Sequence, residues 1–132
     1  MNYLFRLLTA MLLLTSSAFS AQSAKLAPAS KAQIMMGDVS VMANAEDERC
    51  AVVLFEEKVA LGYRFKNGEN CSKAFPVMAK VLAWRVYTNG KISFVDANGH
   101  DLILFHGNGF RRKADRKVDG IAQIWSAQEV AE

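Results

Sequence analysis

The sequence is poor in the residues that usually carry chemistry. Its 132 residues hold two histidines, His100 and His106, and two cysteines, Cys50 and Cys71. They lack the clustered spacing of a zinc site, so neither a metal centre nor a cofactor is expected. His100 falls in a turn and His106 at a strand end, and neither has a G-x-S-x-G pattern nearby. Gly107-Asn108-Gly109-Phe110-Arg111-Arg112 starts like a dinucleotide loop, but it lacks the third glycine and lies between strand candidates, so it reads as a hairpin turn. An excess of one charge sign is missing as well. The formal charge is +3, too little to drive binding to nucleic acid or to a membrane surface. The dense basic run Arg111, Arg112, Lys113, Arg116, Lys117 is interrupted by Asp115 and followed by Asp119, and reads as a solvated hairpin face, with a docking patch as the alternative. With no catalytic constellation, the expectation is a binding protein and not an enzyme.

Long apolar runs are confined to the N-terminus. Met1–Ser20 has Arg6, then Leu7–Leu14, then the small residues Ser16, Ser17, Ala18 and Ser20. The run is too short to span a bilayer and matches a cleavable secretory signal, so no stable membrane insertion is expected. A cut at Ala18-Phe19-Ser20 leaves Ala21 as the first residue, and a cut after Ser23 is the alternative. Losing Arg6 lowers the net charge by one, to +2. No cysteine lies near the cut to be lipidated. In an exported chain two cysteines are expected to form a disulfide, and a loop of this length contributes roughly 3 kcal/mol on chain-entropy arithmetic.

Residues 21–36 form a leader whose stretch Ala21–Gln33 is mostly Ala, Ser, Lys and Gln with one proline and has no apolar period. Fully extended, it could reach on the order of 50 Å. Residues 37–132 are expected to form one β domain. Strand patterns are read at Asp38–Met42, Cys50–Phe55 and Val59–Lys66, with Glu56-Glu57-Lys58 as a turn. Five more follow at Ala83–Thr88, Lys91–Asp96, Asp101–His106, Phe110–Lys113 and Ile121–Ser126. Asn89-Gly90, Asn98-Gly99 and Asp119-Gly120 between them suit the positive φ angles of tight hairpins. Cys71–Lys80 does not read as strand: Ser72 could cap a short helical turn, Pro76 prevents a long one, and Phe75, Val77 and Met78 could plug a barrel end. Eight strands joined by mostly short turns point to an antiparallel up-and-down barrel. Leu54, Phe65, Trp84, Phe94, Leu104 and Trp125 are the expected interior.

In order, Cys50, Cys71, the Pro76 segment, Trp84-Arg85, Asn89-Gly90 into Lys91–Phe94, Asp96-Ala97-Asn98-Gly99, Leu102–Phe105, the Arg/Lys-rich strand and Val118-Asp119-Gly120 resemble the alkaline proteinase inhibitor family. These are periplasmic inhibitors of serralysin-type zinc metalloproteases. The resemblance implies a small eight-stranded lipocalin- or avidin-like barrel with one disulfide and an extended N-terminal trunk. It implies that the trunk enters the protease cleft, here Ala21, Gln22, Ser23, Ala24 and Lys25, and that the protein is a periplasmic monomer. Its partner would be a secreted metalloprotease or another protease. The competing expectation is a calycin-like barrel that holds a small apolar ligand.

Overall fold

A computed structural model describes residues 25–28, 39–107 and 109–127. Eight antiparallel strands follow one another around a closed barrel: β1 (Ser40–Asn44), β2 (Arg49–Val59), β3 (Gly62–Asn67), β4 (Ala83–Val86), β5 (Ile92–Val95), β6 (Asp101–His106), β7 (Arg111–Val118) and β8 (Ile121–Ser126). β8 returns to β1, with Met42 opposite Ile124, so no strand is left as a long open edge. The barrel, the disulfide and the antiparallel order are as the sequence implies.

Several strand boundaries differ from expectation, and two strands run on by four residues or more. Glu56-Glu57-Lys58 does not turn the chain: β2 continues to Val59, the register shifts between Leu54 and Lys58, and the turn is Ala60-Leu61. The three charged side chains are exposed, so an irregular, outward-bowed stretch carries them without breaking the strand. β7 likewise runs past Lys113 to Val118, with a second register shift where Asp115, Arg116 and Lys117 stay in solvent.

The interior is set by side-chain parity. Met42, Val52, Leu54, Trp84, Val86, Ile92, Phe94, Ile103, Phe105, Ile121 and Ile124 are buried in one cluster, and Phe65 packs against it. Phe94 touches Phe65 and Phe105 with ring centroids 4.9 and 5.3 Å apart, within the range of favourable aromatic contacts. Leu104 and Trp125 are corrections to the expected interior. Leu104 lines an outer groove, while Trp125 lies between the guanidinium groups of Arg49 and Arg111, at 5.2 and 5.1 Å. The inward residues on those strands are their neighbours Ile103, Phe105 and Ile124.

One end of the barrel is plugged by α1 (Cys71–Ala74) and the 3-10 turn Pro76–Lys80. Phe75 and Met78 are buried there, as expected, and Val77 packs on the core from a partly buried position. The residue before α1 is Asn70, in the left-handed conformation and with no side-chain cap, so Ser72 is not the cap. Pro76 instead opens the 3-10 turn, where its missing N–H leaves no partner unmatched. The Cys50–Cys71 disulfide ties the plug to β2, and the Val77 amide donates to Asp119 Oδ2 at 2.6 Å in the β7–β8 turn.

Arg112 closes the other end. Contrary to the reading of 111–117 as a solvated face, this side chain is buried. Its Nη1 donates to the carbonyls of Gly90 and Gly107, at 2.5 and 3.0 Å, and so ties the β4–β5 turn to the β6–β7 turn. Burial lowers the guanidinium pKa.

Candidate functional site

The leader meets the barrel where one strand pair runs out. β3 pairs with β4 only at Tyr63 opposite Trp84 and Arg64 opposite Ala83. Beyond Trp84, the chain through Val86, Tyr87 and Thr88 has backbone groups on that side which β3 does not reach. Lys25–Ala27 supplies them. The Ala27 amide donates to the Val86 carbonyl and the Thr88 amide to the Lys25 carbonyl, both at 2.8 Å, with Leu26 bridged antiparallel to Tyr87.

Local sequence explains why the segment takes this form. Pro28 disfavours the helical region for Ala27 and keeps it extended. In this register the ladder bonds fall on residues 25 and 27, so the missing N–H of Pro28 leaves both of them intact. Ala27 is buried and joins the core cluster, whereas Leu26 is 56% exposed. Leu26 is the one large apolar side chain, proline apart, between Ala21 and Gln33, and that was the signal available in the sequence.

Leu26 separates two outer grooves. One, of about 850 Å³, is lined by Lys25, Leu26, Arg85, Tyr87, Asn89, Lys91, Gly99, Asp101 and Leu104. The other, of about 350 Å³, is lined by Leu26, Ala27, Pro28, Lys58, Gly62, Tyr63, Arg85 and Val86. Arg85 stands in both. Its Nε donates to the Leu61 carbonyl at 2.6 Å and its Nη1 to the Gly99 carbonyl at 3.3 Å, so one side chain fastens the β2–β3 hairpin tip and the β5–β6 turn beside the leader.

The platform under Leu26 is held by a polar cluster. Tyr87 Oη donates to Asp101 Oδ1 at 2.6 Å, and Ser93 Oγ donates to the same oxygen at 2.5 Å. Burial pushes the Tyr87 phenol pKa up, and the hydrogen bond to Asp101 adds to the rise. A neutral, fixed phenol therefore sits behind the backbone that carries the leader.

Of the expected trunk residues, Ala21, Gln22, Ser23 and Ala24 lie outside the described residues, and Lys25 is held against Thr88. Cys50 and Cys71 are bonded to each other. The two histidines are on the surface: His100 contacts Asp96, and His106 shares Asp115 with Lys91. Among the described residues, no three His, Cys, Asp or Glu side chains are grouped to hold a metal ion. Sequence reasoning missed Leu26, Ala27, Arg85 and Tyr87.

Residues 29–123, most of the chain, match the family model described as Protease inhibitor Inh. The match takes in β1 to β7 and the start of β8. No curated protein matches the chain.

Proposed function

The chain belongs to the protease inhibitor family Inh, and from that membership we propose that it blocks a secreted zinc metalloprotease of the serralysin type. The inhibitory device is the stretch ahead of Leu26, Ala21–Lys25, inserted into the active-site cleft. The protein is exported through the signal Met1–Ser20 and acts as a monomer in the periplasm, protecting the bacterial cell envelope.

The observation that supports this reading most is the held leader. Lys25 lies against Thr88 and Ala27 against Val86, so the described segment runs antiparallel to β4 with Lys25 at the end nearer the β4–β5 turn. A peptide delivered from a rigid support loses less freedom on binding than a free one. A free α-amino group and the adjacent carbonyl are suited to a catalytic zinc that keeps an open position, where they displace its water.

The apolar-ligand reading lacks comparable support. Trp84, Phe94, Phe105 and Ile103 occupy the barrel interior, and the grooves bordering the leader lie on the outside.

The test is inhibition of a purified serralysin-type protease by protein starting at Ala21, beside a version lacking Ala21–Ala32. Inhibition by the first and not by the second is expected. Equal inhibition by both would remove the leader from the mechanism, and inhibition of other protease classes only would move the target.

A further inference from the structure

We infer that the Leu26–Tyr87 bridge is the fixed point from which the inhibitory tip is measured, so that the number of residues ahead of Lys25 sets how far the tip reaches into the partner. This rests on the trunk-insertion reading above and adds to it the device that sets its register.

The bridge specifies one register by size. Leu26 and Tyr87 are a close, non-hydrogen-bonded antiparallel pair, because the flanking bonds run from Ala27 to Val86 and from Thr88 to Lys25. A slip of one residue would exchange the two faces of the segment. It would drive Leu26 or Pro28 into the buried slot that holds Ala27 and turn the alanine outward. A slip of one residue would also bring Pro28, which has no N–H, to a position where a ladder donor is needed. The anchor is short, but it has one preferred position.

The consequence falls on maturation. A cut after Ser20 leaves four residues ahead of Lys25, an extended span of about 13 Å. A cut after Ser23 leaves one residue, a span of about 3 Å. The first tip extends about 10 Å further from the bridge than the second. On this inference the cleavage site sets the strength of inhibition.

Two single-alanine insertions separate this device from a simple requirement for a long leader. One is placed between Ala24 and Lys25, ahead of the bridge, and the other between Ala32 and Gln33, behind it. Both lengthen the leader equally. Against a purified serralysin-type zinc protease, the insertion ahead of the bridge is expected to weaken inhibition by at least about tenfold, since misplacement by one residue is several ångströms. The insertion behind it is expected to change inhibition by less than about twofold. Hydrogen exchange of the Ala27 and Thr88 amides supplies a second readout, with protection kept or increased in the complex.

Equal losses from the two insertions, or a greater loss from the rear one, would overturn the inference while leaving trunk insertion standing. So would loss of Ala27 and Thr88 protection on binding, which would mean that the bridge opens when the tip inserts. If the unmodified protein starting at Ala21 inhibits no protease, the trunk reading and this inference fall together.

Discussion

Trp84 carries a polar atom into an otherwise apolar interior at little cost, because its indole N–H donates to the Phe55 carbonyl at 2.9 Å. Trp84→Phe is expected to lose that bond and part of the ring volume and to lower stability by about 2 kcal/mol, read from urea unfolding. On the outside, Asp115 tests the surface charges. Desolvation alone would raise its pKa, but hydrogen bonds and charge attraction from Lys91 and His106 outweigh it and leave the carboxyl below its ordinary value. Because the folded pKa is the lower one, this contribution to stability is present above the unfolded carboxylate pKa, about 3.9, and is lost as pH falls through the folded value. Asp115→Asn should cost less than about 1 kcal/mol at neutral pH and flatten the acid limb of the stability profile. Residue identity was legible where neighbours differ in polarity. In Asp101–His106 both parities are apolar, so sequence alternation did not reveal that Ile103 and Phe105, not Leu104, face inward. Trp125 was misread for a related reason: a large aromatic can also be covered from outside, here by two arginines.

The β2–β3 hairpin links the barrel wall to the leader. Gly62 has φ +146°, and a Cβ built there would lie 2.4 Å from the Trp84 carbonyl oxygen and 2.8 Å from Arg85 Cγ. Gly62→Ala is therefore expected to push β3 away from β4, destabilise the fold by about 2–3 kcal/mol and disturb the Arg85 bond to Leu61. Wild-type unfolding midpoints in this variant would contradict the close approach. The plug makes a separate prediction. The Cys50–Cys71 bond spans a sequence separation of 21, and its reduction should cost about 3 kcal/mol, measured as a lowered denaturant midpoint with thiols verified. Strand existence was readable from Asn-Gly and Asp-Gly turns and from β-rich runs. Strand ends were not, because Glu56–Lys58 and Asp115–Lys117 look like loops in sequence and are tolerated as irregular stretches once neighbouring strands hold them.

At the scale of the whole molecule, closure of the barrel does two things. It removes free sheet edges, and it leaves the short stretch beyond Trp84 as the place where an added segment can pair. That place was invisible in the sequence, since Lys25–Pro28 has no period of its own and makes a single bridge that only the folded barrel defines. The structure shows Lys25–Ala27 paired with Val86–Thr88. A filled, plugged barrel with Lys25–Ala27 paired on its outside is the framework on which the proposed occlusion of a protease active site rests.

The most direct test is competition. The affinity of the protein starting at Ala21 for a serralysin-type protease is measured with and without a saturating small inhibitor bound at the catalytic zinc. Mutually exclusive binding is the predicted result. Unchanged affinity with the zinc site occupied would contradict active-site occlusion and place the contact elsewhere on the enzyme.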